Sequence, residues 1–264
     1  LDTANARSCK AIPARHCLVL TGTPLENRPE ELWAIFDFLQ PGLLGSRAGF
    51  QRRYGELSDQ PERRAELAAI TGPLILRRRK TEVARDLPPK IEQVVYCEMD
   101  EAQQALYDDL LASGRDQCRQ LLGAAGGNRR FEVLTALLRL RQLCCHPRLL
   151  PRELLPPGSE PGSAKTELLQ ELLLEAMDSG SRTLVFSQFT SLLAILREWL
   201  DDTGIPYEYL DGATPDRQER VTRFNRDPGI PVFLLSLKAG GQGLNLTGAD
   251  RVIIYDPWWN PAVE

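Results

Sequence analysis

The chain has 264 residues, beyond the roughly 100 to 200 of one typical domain, so two lobes are expected. A hydrophobic share of 42% beside 26% charged residues supports a packed core and excludes a disordered chain. The net charge of −4 excludes a uniformly basic nucleic-acid binder but not a locally basic channel, because residues 1–90 carry 15 Lys plus Arg against 11 Asp plus Glu.

No apolar run approaches the roughly 18 residues of a membrane span, and Leu1-Asp2-Thr3-Ala4 has neither the basic nor the apolar part of a signal peptide. Six cysteines without regular spacing read as reduced thiols. No membrane partner is expected.

His16 to Leu20 is a short apolar run before Thr21-Gly22-Thr23-Pro24, which predicts a buried strand stopped by a turn. From Glu30 to about Arg85 the spacing is helical, with Leu32, Ile35, Phe36 and Leu39 on one face and a break at Pro41-Gly42. Leu87-Pro88-Pro89-Lys90 predicts a linker, Ile91 to Tyr96 a strand, and Asp100 the cap of a helix running toward Leu122. A second helix is predicted from about Asn128 to Cys145, and the proline-rich stretch Pro147 to Gly162 is read as an exposed connector.

Beyond Ser163 strands and helices alternate. Helices are predicted at Lys165 to Met177, over the face Leu192, Ile195, Leu196, Trp199 and Leu200, and from Pro215 with Thr214 as cap. Strands are predicted at Thr183 to Phe186, Tyr207 to Leu210, Val232 to Leu235 and Val252 to Tyr255. Repeated βα units imply a parallel sheet covered by helices, whose ligands bind beyond the carboxyl ends of the strands. Ser187-Gln188, Asp211-Gly212 and Lys238-Ala239-Gly240-Gly241-Gln242-Gly243 fall at that edge. The three glycines of the last segment let backbone approach a ligand, although a tight turn alone would use them too.

Several segments, in order, resemble the Swi/Snf family of superfamily-two helicase-like translocases. Leu20-Thr21-Gly22-Thr23-Pro24-Leu25-Glu26-Asn27 is similar to the family's third motif, and Leu76-Arg77-Arg78-Arg79-Lys80 with Leu87-Pro88-Pro89-Lys90 to its exit from the first lobe. Leu140-Arg141-Gln142-Leu143-Cys144-Cys145-His146-Pro147 resembles a helix-ending segment, with Cys145 where asparagine is common. Phe186-Ser187-Gln188-Phe189 resembles motif four. Leu210 to Thr214 with Arg217, Arg220 and Phe224 resembles the segment after it, Ser236 to Leu246 motif five, and Asp256-Pro257-Trp258-Trp259-Asn260-Pro261-Ala262 the adjoining signature.

The resemblance implies an α/β fold: a RecA-like parallel-sheet lobe with helical insertions, preceded by the end of another RecA-like lobe. Residues 1–88 are expected to close the first lobe, 89–162 to form a linker strand and helical insertion, and 163–264 to form the second lobe. The implied activity is a DNA-dependent ATPase whose cofactors are ATP and Mg²⁺, and which moves along double-stranded DNA, with a DNA-bound protein complex as a further partner. The implied place is the cytoplasm, at the nucleoid, in a bacterium and the nucleus in a eukaryote. Thr21, Gly22 and Thr23 are expected to couple nucleotide to DNA, and Gly240, Gly241, Gln242, Gly243 and Asn245 to face the nucleotide. Lys238, Ser187, Gln188, Trp259, Arg77 and Arg78 are expected near the DNA backbone. Without the resemblance, Thr21 and Thr23 suit helix caps, Arg77 to Lys80 a solvated face, and the tryptophans packing.

A phosphate loop and a carboxylate pair belong upstream of Thr21, and none of the 20 preceding residues fits them. The chain also stops at Glu264, before the family's sixth motif, so alone it is expected to be catalytically incomplete. Asp100-Glu101-Ala102-Gln103 and Gly162-Ser163-Ala164-Lys165-Thr166 look like the missing pieces but lie downstream of Thr21 in reversed order, and are read as a helix start and a connector end. Cys144, Cys145 and His146 lack zinc-site spacing, so no metal is expected. The rival readings are a non-catalytic DNA- or protein-binding module and a self-contained P-loop enzyme using Lys165 and Asp100.

Overall fold

The computed structural model of the chain describes residues 3–21, 28–57, 60–78, 80–84, 86, 88–122, 129–158, 162–240 and 243–257. It divides into two compact units, Leu1–Gln93 and Val94–Glu264.

In the first unit, α1 (Ala4–Ala11) is followed by α2 (Pro29–Leu39), α3 (Arg47–Tyr54), α4 (Pro61–Thr71) and α5 (Lys80–Val83). Thr3 and Ser46 cap α1 and α3 by accepting from the amides of Ala6 and Gly49, both at 3.2 Å. Prolines open α2 and α4, where no intrahelical amide is needed. Leu32 and Phe36 from α2, Phe50 and Tyr54 from α3 and Leu67 from α4 form the core of this unit. The turn at Gly42, φ +90, and Gly45, φ +69, joins α2 to α3 as the Pro41-Gly42 break predicts.

Two predicted strands are absent. His16–Leu20 and Ile91–Tyr96 are irregular, with Leu18, Leu20, Ile91 and Tyr96 all at least 80% exposed. A strand is stable only when its amides and carbonyls meet a neighbour's, and no described residue pairs with either segment.

The second unit opens with α6 (Glu101–Leu122), capped by Asp100, whose Oδ1 accepts from the Gln103 amide at 2.6 Å. It pairs with α7 (Arg129–Cys145), and Gln103 Nε2 donates to the Leu143 carbonyl at 2.8 Å, tying the start of one helix to the end of the other. Then come α8 (Ala164–Asp178), β1 (Thr183–Ser187), α9 (Thr190–Thr203), β2 (Tyr207–Leu210), α10 (Arg217–Arg226), β3 (Val232–Ser236), α11 (Leu237–Gly240) and β4 (Arg251–Ile254).

The sheet order is β2-β3-β1-β4, all parallel. Alternate residues of β3 point to opposite faces: Val232 and Leu234 join a core with α8 and α9, whereas Phe233 and Leu235 join one with α10. Covering both faces is what a parallel sheet requires. Each fully buried leucine, such as Leu192, Leu196 and Leu200 of α9, contributes about 2 kcal/mol. Gly204 ends α9 in the left-handed conformation at φ +69.

Thr214 does not cap α10. Asp216 holds the cap position at φ 54 without a side-chain bond, and the Thr214 hydroxyl is taken by Asp211, donating to Oδ1 at 2.7 Å and accepting the Asp211 amide at 2.9 Å.

Candidate functional site

Because the strands are parallel, their carboxyl ends share one edge: Ser187 stands opposite Ser236, Leu210 opposite Leu235, and Phe186 opposite Ile254. The loops leaving those ends form the candidate site.

The Gly-rich loop is fastened at both ends. At its start the Ala239 amide donates to Ser236 Oγ at 3.3 Å, and Arg217 Nη2, from the first residue of α10, donates to the Ala239 carbonyl at 2.5 Å. Gly240 lies so close to the Phe186 ring that any Cβ would collide with it. At its end Asn225 of α10 donates through Nδ2 to the Asn245 carbonyl at 2.8 Å and accepts the Gly248 amide through Oδ1 at 2.9 Å. Gly243 has φ +62 and open space beside its Cα. Lys238, Gly243 and Asn245 are exposed; Gly241 and Gln242 lie outside the described residues.

Beside it the loop after β1 meets the residues after β4. Ser187, expected near DNA, is wholly buried, and its hydroxyl accepts the Phe189 amide at 3.0 Å, so it shapes the turn. Gln188 is half-buried and its amide donates to Asp256 Oδ2 at 3.2 Å. Asp256 is 2% exposed, and its Oδ1, like Gln188 Nε2, is buried without a hydrogen bond. Burial pushes the Asp256 carboxyl up; polar contacts from Ser187 and Gln188 and the Lys165 charge pull the other way. Asp211, at the end of β2, is held low by bonds from Thr214, then from Tyr209.

The two lookalike segments are structural. Ser163 caps α8 and donates to the Cys145 carbonyl at 2.9 Å, a carbonyl that also receives the Tyr255 hydroxyl at 2.6 Å. The Thr166 hydroxyl lies 2.9 Å from that of Tyr255, and the Lys165 ammonium sits over the Tyr255 ring, 4.9 Å from its centre. Asp100 caps α6. Burial raises Cys145 to about 12, so it stays a neutral thiol, and His146 Nδ1 accepts the Arg148 amide at 3.1 Å. Among the described residues no group of three or more His, Cys, Asp or Glu could hold a metal ion, and no helix is long and apolar enough to cross a membrane.

In the first unit Thr21 is exposed and Gly22 and Thr23 lie outside the described residues. Arg77 and Arg78 are exposed in the irregular stretch after α4. Trp258 and Trp259 also lie outside the described residues. Sequence reasoning missed the parts played by Arg141, Arg217, Asn225 and Asp256. Arg141 Nη2 donates to the Pro257 carbonyl at 3.0 Å, and its guanidinium faces the Phe189 ring at 6.0 Å. Asp256, an acid directly after an apolar strand, carried a local signal, and Arg141 and Arg217 stood in family-like segments without an assigned role.

Known proteins agree with this architecture. Residues 2–149 match the SNF2-related domain and residues 164–264 the helicase conserved C-terminal domain. The SWI/SNF-related matrix-associated actin-dependent regulator of chromatin subfamily A member 1 of Mus musculus is 38% identical over 94% of this chain, which spans 24% of that protein. The DNA repair and recombination protein RAD26 of Saccharomyces cerevisiae is 34% identical over the whole chain, which spans 26% of it. The Sulfolobus solfataricus SWI2/SNF2 ATPase core in complex with dsDNA superposes with a TM-score of 0.57 at 33% identity, over 98% of this chain and 55% of that one. The C-terminal domain from the same source gives 0.54 at 32% identity, over 64% of this chain and 73% of that one. The chain is an α/β protein built on the RecA-like lobes of such cores, and it spans about a quarter of the curated relatives it matches. The motif order, the parallel sheet and these similarities place the chain in the SNF2 family of ATP-dependent helicase-like proteins.

Proposed function

We propose that this chain is part of a motor that hydrolyses ATP and, driven by that hydrolysis, moves along double-stranded DNA, without necessarily separating the strands. The observation that carries the reading is the loop cluster at the carboxyl edge of the sheet, where a Gly-rich backbone held by Arg217 and Asn225 adjoins the Ser187–Gln188 turn and the exposed Lys238. Residues 1–88 then close the first lobe, 89–162 supply the linker and helical insertion, and 163–264 form the second lobe.

The residues present fit one side of a nucleotide. Gly243 offers open backbone at a conformation other residues resist, and the exposed Asn245 offers an amide beside it. Gly240, Gly241, Gln242, Gly243 and Asn245 are assigned to that side, and Thr21, Gly22 and Thr23 to the coupling of nucleotide to DNA. ATP supplies the free energy of γ-phosphate release, with Mg²⁺ neutralising the developing charge. The main phosphate and Mg²⁺ contacts are assigned to residues outside 1–264, because Lys165 and Asp100 are engaged in packing and capping.

Lys238, Gln188, Trp259, Arg77 and Arg78 are assigned to the phosphate backbone, which supplies most of the affinity of sequence-independent binders. Ser187 acts by holding the turn that presents Gln188. The relatives' printed names make chromatin or a DNA-bound repair complex the partner to seek, at the nucleoid in a bacterium or in the nucleus in a eukaryote.

The test is ATP hydrolysis by the full-length protein with and without duplex DNA, alongside residues 1–264 alone. The reading expects hydrolysis stimulated by duplex in the first and none in the second. Hydrolysis indifferent to DNA, or robust turnover by residues 1–264 that Lys165→Ala abolishes, would overturn it.

A further inference from the structure

A carboxylate can accept about four hydrogen bonds, and burying it costs several kcal/mol unless they are supplied. Asp256, 2% exposed, accepts the Gln188 backbone amide through Oδ2 at 3.2 Å, while its Oδ1 and the Gln188 Nε2 are both buried without a well-aligned hydrogen bond. Contacts from the Ser187 and Gln188 side chains and the Lys165 charge offset part of that cost, and both hydrogen-bonding partners lie on one loop. What it holds is a loop at the mouth of the sheet, 68 residues away in sequence.

Further contacts join the two loops to the end of α7, with Thr166 and Lys165 of α8 also packed on Tyr255. The Tyr255 amide donates to the Phe186 carbonyl at 2.9 Å, extending the β1–β4 pairing up to the acid. Arg141, near the end of α7, reaches across with its Nη2 on the Pro257 carbonyl at 3.0 Å and its guanidinium facing Phe189, one contact on each loop. The Tyr255 hydroxyl, bonded to the Cys145 carbonyl at 2.6 Å, fixes the end of the same helix.

We propose that Asp256 is a positioning residue that pins the Gln188 turn to the loop after β4, and that Arg141 anchors this pair to α7, so that both loops and the α6–α7 hairpin move as one body. The consequence for function rests on the assignment of Gln188 to the DNA backbone. A displacement of the hairpin then shifts the DNA-facing turn, and occupancy of the turn is felt at the hairpin.

The brace is tested by amide hydrogen exchange at Gln188 in the full-length protein, together with its affinity for a duplex oligonucleotide, for Asp256→Ala, Asp256→Asn and Arg141→Gln. Asp256→Ala is expected to speed Gln188 exchange about tenfold, the loss of one charge-assisted bond, while the amides of β3 keep their protection. Asp256→Asn retains a side-chain oxygen and should restore most of that protection. Arg141→Gln, which leaves the acid in place, should give a smaller increase at Gln188 and Phe189 and remains informative if Asp256→Ala does not fold.

Duplex affinity should fall in the same order as exchange rises. Unchanged Gln188 exchange in all three variants overturns the brace. Faster exchange with unchanged affinity overturns its positioning role. If the unmodified protein binds no duplex, the proposed function fails while exchange still decides the brace.

Discussion

The Arg217 guanidinium, on the first turn of α10, donates to the Ala239 carbonyl at 2.5 Å and so fastens the start of the Gly-rich loop to a helix that covers the sheet. With Asn225 on the far end of the loop, α10 holds both of its ends. Arg217→Ala should leave the fold intact, costing about 1 to 2 kcal/mol for one half-buried charge-assisted bond. It should raise the KM for ATP of the full-length motor several-fold. Thermal melting and steady-state kinetics check the two numbers, and a large loss of stability with normal KM would count against it.

Gly240→Ala forces a methyl into the Phe186 ring and should destabilise the second unit by about 1 to 3 kcal/mol, the usual cost of overpacking. Pairing it with Phe186→Leu should recover most of that loss. Denaturant melts of the single and double variants check the compensation, and strictly additive losses would contradict the packing account.

Acid sensitivity should trace to His146. Burial first, and the Arg148 charge second, lower its pKa from 6.5 to about 4, partly offset by Glu198. The unfolded chain takes up this proton near pH 6.5 and the folded one only near 4, so stability falls as pH drops through that window. The loss approaches about 3 kcal/mol at the lower end. His146→Gln should flatten the decline between pH 6.5 and 4, measured by urea midpoints at each pH.

Glu208 is wholly buried on β2, with Arg220 Nη1 bonded to Oε2 at 3.0 Å and Arg223 Nε lying 2.9 Å from Oε1 without hydrogen-bond alignment. Both arginines are well exposed, so the pair is partly screened. Glu208→Ala should cost about 2 kcal/mol, below the 3 to 5 typical of a fully buried pair. A double-mutant cycle with Arg220→Ala should show coupling of about 1 kcal/mol.

The parallel sheet was legible because apolar runs such as Val232 to Ser236, punctuated by loops, carry their period locally, and the five expected positions on α9 are all buried or half-buried. Asp100 announced its helix by its place before an amphipathic run. His16–Leu20 and Ile91–Tyr96 read equally well as strands, but strand formation depends on a neighbour that sequence does not display. Thr214 was misjudged because Asp211, three residues earlier, competes for its hydroxyl. The Arg141–Pro257 contact spans 116 residues, and no local pattern can signal it.

The salt dependence of duplex-DNA affinity for the full-length protein, measured with and without Lys238→Ala, tests the central claim most directly. If the carboxyl edge of the sheet grips the phosphate backbone, the variant binds all duplex sequences more weakly and equally so, and the slope of log affinity against log salt shrinks by about 1. An unchanged slope, or a loss confined to particular sequences, would contradict it.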